Sequence, residues 1–191
     1  MRIGVLALQG AFIEHVEVLQ LLGVEALPIR LPKELDGLDG LIIPGGESTT
    51  ISRLMADFGL MQPIRDLAAS GLPVLGTCAG MVLLARELVG FNLETLGLMD
   101  ITVRRNVFGS QVDSFEADLE VPALGEQPFH AIFIRAPVIE KSNPEVEILA
   151  KLGNEKAVAA RQGNLVSVAF HPELAGDLRF HKYFLDIVAA Q

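Results

Sequence analysis

The chain contains one cysteine, Cys78, and small residues frame it in the segment Gly76-Thr77-Cys78-Ala79-Gly80. A single cysteine cannot form an internal disulfide or a multi-cysteine metal site, so any role for it rests on the chemistry of the thiol. A tight turn that hands a buried strand to a helix needs Gly or Ala beside the reactive residue to avoid clashes, and it lifts the nucleophile clear at the end of the sheet. The helix start adds a partial positive charge and free N–H groups, which favour a thiolate and can hold a developing oxyanion. The N–H of Ala79 is the natural first oxyanion donor. The competing reading is that Cys78 is a small buried apolar residue.

A nucleophile of this kind needs a base. His171 and Glu173 stand two apart, just after the apolar run 165–170, so in extended chain their side chains start on the same side. Glu173 can then accept from one imidazole nitrogen while the other faces the thiol, the arrangement of a nucleophile, base and orienter triad. His15 on the first helix, His130 entering a strand and His181 on the last helix are read as structural or surface residues, with no metal-ligand spacing among them. In Pro44-Gly45-Gly46-Glu47-Ser48, two consecutive glycines let the backbone present N–H groups to a ligand, and Gly46 is a candidate second oxyanion donor. The same residues also read as a plain loop before a helix capped by Ser48 or Thr49.

These segments fall at the ends of elements that the pattern predicts. The apolar run 3–8 is of the kind buried on both faces of a parallel sheet. A helix carrying Phe12, Val16 and Leu19 follows, with Gly23 as its stop, and then another strand by residue 30. Strand 40–43 leads into a helix with Ile51, Leu54 and Met55, then a helix over 61–70, strand 74–76, and a helix with Met81 to Leu84 and Leu88. From about residue 98 shorter strands are expected at 101–104, 112–121, 131–134 and 146–152, an antiparallel flank on a parallel sheet. Strand 165–170 and a C-terminal helix with Leu178, Leu185 and Val188 complete a single α/β domain over 1–191. In open α/β sheets ligands bind beyond the carboxyl ends of the strands, so Cys78 and His171 are placed to converge.

Composition narrows the function. Half of the residues are apolar and a fifth are charged, the balance of a folded soluble protein. A net charge of -9 with no Lys/Arg cluster argues against a nucleic-acid partner. The only apolar run near the start has six residues, too short for a signal-peptide core, and no stretch reaches the ~20 residues of a membrane span. A cytoplasmic location is expected.

Taken together, the segments resemble the triad, or class I, glutamine amidotransferases, and more closely the glutaminase subunits of pyridoxal 5'-phosphate synthases. The resemblance rests on Ala7-Leu8-Gln9-Gly10 with Glu14-His15, on Pro44 to Thr50, on Gly76 to Gly80, on Arg105-Asn106 with Gln111 to Glu116, on Phe133 to Pro137, and on Phe170 to Leu174. Arg104 stands where that family commonly has an acidic residue, and Ala175 where Thr is usual. The resemblance implies a three-layer flavodoxin-like fold, with a mostly parallel sheet, helices on both faces and a small antiparallel flank. It also implies hydrolysis of L-glutamine to glutamate and ammonia by Cys78, His171 and Glu173, with the Gly46 and Ala79 N–H groups as oxyanion hole. Glutamine would be bound by Gly46, Glu47, Ser48, Arg105, Ile134 and Arg135, without metal or organic cofactor. The implied partner is a (β/α)8-barrel synthase subunit in a hetero-oligomeric complex. By the same resemblance the glutaminase is poorly active until that partner orders its oxyanion hole. Competing readings are the glutaminase of another pathway, such as that of imidazole glycerol phosphate synthase, a non-catalytic binding module of the same fold, and a cysteine hydrolase acting on peptides.

Overall fold

The computed structural model describes residues 1–105, 114–153 and 155–191. Asn106, Gln111, Val112 and Asp113, which contribute to the resemblance and to the start of the strand expected at 112–121, lie outside the described residues.

In the first half β1 (Arg2–Leu6), α1 (Phe12–Leu21), β2 (Glu25–Ile29), β3 (Gly40–Ile43), α2 (Ser48–Asp57), α3 (Met61–Ala69), β4 (Val74–Thr77) and α4 (Ala79–Leu84) follow one another. The second half holds β5 (Ala85–Val89), β6 (Met99–Arg104), β7 (Ser114–Leu119), β8 (Phe129–Ile134), β9 (Val138–Ser142), β10 (Glu147–Leu152), β11 (Lys156–Gln162), β12 (Leu165–Val168) and α5 (Arg179–Ala189). The main sheet runs β2-β1-β3-β4-β12-β11-β9-β6-β5, with β10 beside β11. Its first five strands are mutually parallel, in the order of a flavodoxin-like doubly wound sheet. The antiparallel flank begins at β11, which pairs with β12, β9 and β10, and β7 and β8 form a separate antiparallel ribbon.

The parallel strands are short because they are covered on both faces: every residue of β3 and of β4 is buried. On α5, Phe180 and Phe184 are buried, and Phe180 packs edge-on against Phe129 and Phe170. Carboxyl ends of β1, β3, β4 and β12 lie side by side, so residues 7–11, 44–47, 78 and 169–173 all emerge at one edge of the sheet.

Three details differ from the sequence pattern. Leu88 belongs to β5, not to the helix after Cys78, because α4 stops after six residues. The returning segment takes the helix's last carbonyls: Leu96 N donates to Leu83 O, Leu98 N to Leu84 O, and the Thr95 hydroxyl to Ala85 O at 2.7 Å. Strands β9 and β11 fall where none is expected; β11 is rich in Ala, a weak strand former whose place is set by pairing with its neighbours. The strand expected over 165–170 ends at Val168, although Ala169 and Phe170 stay buried.

Candidate active site

Cys78 sits between β4 and α4 with φ 49 and ψ -99, a backbone conformation that a side chain rarely adopts. Holding a non-glycine residue there costs about 1–3 kcal/mol, so the surroundings must impose it. Three of them do. The Cys78 N–H donates to Val168 O of β12 at 2.8 Å. A Cβ at Gly80 would lie 2.1 Å from the Ile43 carbonyl oxygen, and one at Gly76 would lie 2.7 Å from the Gly80 backbone. The two glycines of the frame are thus the price of packing the first turn of α4 directly against β3 and β4. The Cys78 side chain emerges at the sheet edge, 8% exposed, with Sγ 3.7 Å from the Ile134 carbonyl oxygen.

Beyond β12, the His171 N–H donates to Ile132 O and its ring Nδ1 lies 2.7 Å from Glu173 Oε1. The Glu173 side chain is fully buried and that of His171 nearly so. Burial pushes the His171 imidazole down, but hydrogen bonds and charge from Cys78 and Glu173 outweigh it and raise it to about 10. At neutral pH the ring therefore carries a proton between a sulfur and a carboxylate. Gly45 fits into the angle between these groups: a Cβ there would meet His171 Cε1 at 2.4 Å and Cys78 Cβ at 3.3 Å. Only glycine allows the turn after β3 to pass so close to both.

In front of the sulfur lies a cavity of about 360 Å³, a size suited to a small polar molecule. Cys78, His171, Gly46, Ala79, Glu47, Ser48, Arg105, Ile134 and Arg135 all line it, while Glu173 stands behind His171. Arg105 Nη1 donates to Ser48 Oγ at 2.8 Å, and its guanidinium lies 3.7 Å from the centre of the Phe91 ring. Stacked and tethered, it is a pre-organised fork for a carboxylate. Arg135 follows Ile134 with a positive φ of 44. Neither Ser48 nor Thr49 caps α2: Glu47 does, accepting from Thr49 N at 3.2 Å and Thr50 N at 2.7 Å. Burial raises Glu47, but its bonds from Thr50 and Thr49 prevail and hold it below the usual carboxylate range.

His15 and His181 are not surface residues. Both are fully buried, in contact with each other and, through His15, with Thr77 and Glu173. Their positions carried a signal: His15 falls three residues after Phe12 and four before Leu19, and His181 four before Leu185, on the apolar stripes of their helices. His130, by contrast, is exposed on β8 between Glu116 and Asp118, which hold it above its usual range. Phe91, the platform for Arg105, had no such signal. Among the described residues no group of three or more His, Cys, Asp or Glu could hold a metal ion, and no helix is long and apolar enough to cross a membrane.

A parallel flavodoxin-order sheet with a cysteine on a strained strand-to-helix turn and a His–Glu pair beyond the neighbouring strand defines a class of protein, and comparison agrees with it. Residues 5–190 match the SNO glutamine amidotransferase family, and the chain belongs to that family. Among its relatives is the pyridoxal 5'-phosphate synthase subunit PdxT of Moorella thermoacetica, 61% identical over 188 residues, 98% of this chain and 100% of that protein. The PdxT of Herpetosiphon aurantiacus is 60% identical over 190 residues, again 98% of this chain and all of that protein. A solved structure described as that of a glutamine amidotransferase superposes with a TM-score of 0.93 at 48% identity, covering 98% of both chains.

Proposed function

We propose that this chain hydrolyses L-glutamine to L-glutamate and ammonia, and that it does so as the glutaminase subunit of a pyridoxal 5'-phosphate synthase in the cytoplasm. The observation that carries the reading is Cys78, His171 and Glu173 aligned at one edge of the cavity, in a chain about 60% identical to PdxT subunits along its length.

Glutamine enters with its α-carboxylate toward Arg105 and its amide toward Cys78. As sulfur attacks the amide carbon its proton is held by His171 and passes to the departing nitrogen, so that ammonia leaves and a γ-glutamyl thioester remains. Water, deprotonated by the now neutral His171, then attacks the thioester, and His171 returns that proton to the sulfur as glutamate leaves. Glu173 steadies the imidazolium throughout and fixes which ring nitrogen faces the sulfur.

Both tetrahedral oxyanions need donors. Ala79 N–H at the start of α4 and Gly46 N–H fill this role, each worth about 100 to 1,000-fold in turnover. The Gly45 carbonyl accepts the Ala11 N–H at 3.0 Å, and this bond governs which way the Gly45–Gly46 peptide faces. A partner that rearranges residues 9–11 therefore controls the second donor. Ammonia released into water would be protonated and lost as a nucleophile, which is the reason to work docked on a (β/α)8-barrel synthase subunit.

Ammonia release from glutamine, measured with and without that synthase subunit, tests the reading. Cys78→Ala and His171→Asn are each expected to lower it by at least ~1,000-fold while remaining folded. Undiminished release by folded Cys78→Ala would overturn it.

A further inference from the structure

A buried chain of imidazoles runs behind the site. His181 Nε2 on α5 lies 2.8 Å from His15 Nδ1 on α1. His15 Nε2 lies 3.2 Å from Thr77 Oγ1 on β4 and 3.3 Å from Glu173 Oε2. Thr77 Oγ1 also accepts the Gly45 N–H at 3.0 Å. Glu173 thus has one oxygen on His171 and the other facing His15, and both His15 and His181 are 0% exposed.

Only one arrangement of protons suits this geometry. A bare lone pair on His15 Nε2 would stand 3.3 Å from a buried carboxylate oxygen that has no hydrogen-bond partner, a repulsion that no nearby solvent would screen. Nε2 therefore carries the proton, bonded to Thr77 Oγ1, with Glu173 Oε2 3.3 Å away. Burial and the neighbouring imidazoles push His15 well below its usual range, and burial pushes His181 down to about 4, so both rings are neutral and each has one N–H. His15 Nδ1 is then an acceptor, and His181 Nε2–H donates to it. That leaves His181 Nδ1 as a bare acceptor, in keeping with its being buried and without a partner. The N–H groups then run in order from His181 through His15 to Thr77, beside Glu173.

We infer that His15 is a positioning residue for the reaction: the positive end of its Nε2–H, bonded to Thr77, faces the outer oxygen of Glu173 at 3.3 Å and holds it by charge, and the contact with Thr77 ties that carboxylate to the turn that carries Gly45 and Gly46. This rests on the reading of Cys78, His171 and Glu173 as the catalytic triad. The consequence is that the base and the second oxyanion donor share one buried support. Any shift of α1, whose start follows residues 9–11, moves both.

The test compares two polar replacements that differ in reach. A Gln side chain brings an N–H to about the place of the imidazole Nε2, whereas Asn reaches only about as far as Nδ1. In the complex with the synthase subunit, His15→Asn is expected to lower kcat about 10 to 100-fold with KM changed less than about 3-fold, the scale of losing an N–H to a charged group. His15→Gln is expected to restore kcat to within about 5-fold of the parent protein. A second readout uses Cys78 as the one cysteine in the chain. Its rate of alkylation by iodoacetamide at fixed pH reports how firmly His171 is held against the sulfur. His15→Asn lowers that rate, and His15→Gln returns it. Thr77→Val, equal in shape but unable to accept either the Gly45 N–H or the His15 N–H, lowers kcat and the alkylation rate together.

Equal kcat and equal alkylation rates for folded His15→Asn and His15→Gln would overturn the inference, as would unchanged kcat in Thr77→Val. If the His15 variants do not fold, the Thr77→Val result alone decides. Failure of the triad itself shows separately, as ammonia release that survives Cys78→Ala.

Discussion

Gly45→Ala adds a single methyl group at the point where the turn after β3 passes Cys78 and His171. The backbone at Gly45 is not in the left-handed region, so alanine adds no conformational strain and the perturbation is steric. The new Cβ would stand 2.4 Å from His171 Cε1 and 3.0 Å from its Nδ1. An ordinary contact needs about 3.4 Å, so ring or turn must yield by about 1.0 Å. The ring is hemmed in by Glu173, by Cys78 and by the backbone bond to Ile132 O, which leaves no free direction. A displacement of ~1 Å in a catalytic group costs on the order of 100-fold in rate, or about 3 kcal/mol in activation free energy. The loss should fall on kcat, since Gly45 faces the pair rather than Arg105, and KM should change by less than about 3-fold. Steady-state ammonia release in the complex, with circular dichroism and a thermal melt to establish folding, measures it. A folded Gly45→Ala protein with wild-type kcat would refute the tight packing of His171 against this turn.

Other perturbations follow from the same geometry. Arg105→Ala removes the stacked guanidinium beside Ser48 and should raise KM for glutamine by about 10 to 100-fold with a smaller effect on kcat, read from saturation curves. Gly80→Ala places a Cβ 2.1 Å from the Ile43 oxygen, a backbone atom, and should destabilise the fold by ~1–3 kcal/mol or more in urea melts. His171, raised to about 10 in the fold, contributes stability that is fully present below its ordinary value near 6.5 and is lost as pH rises through about 10. The stability gap between the parent and His171→Asn should therefore narrow from about pH 7 to about pH 10.5. His181, depressed to about 4, works in the opposite sense: its contribution is complete above about 6.5 and declines as pH falls toward 4. His181→Phe should flatten the acid side of the stability profile.

Much of this site was legible in the chain because its parts carry local signatures. Gly76-Thr77-Cys78-Ala79-Gly80 announces a tight strand-to-helix turn around the cysteine, since small residues are required wherever backbone approaches backbone, and the Gly80 contact with Ile43 is that requirement in space. The strand and helix alternation of the first half follows from apolar runs and periods that local chemistry sets. His171 and Glu173 are near neighbours in sequence, so their pairing needed only an extended backbone. What the sequence left open depends on contacts between distant segments. Where α4 ends is decided by residues 95–98 capturing its carbonyls, and β9 and β11 exist because their neighbours offer pairing partners. The joining of His15, Thr77, Glu173 and His181, drawn from α1, β4, the turn after β12 and α5, is invisible in a linear chain. A histidine's ionisation and tautomer are set by what surrounds it, and that environment forms only when the elements pack.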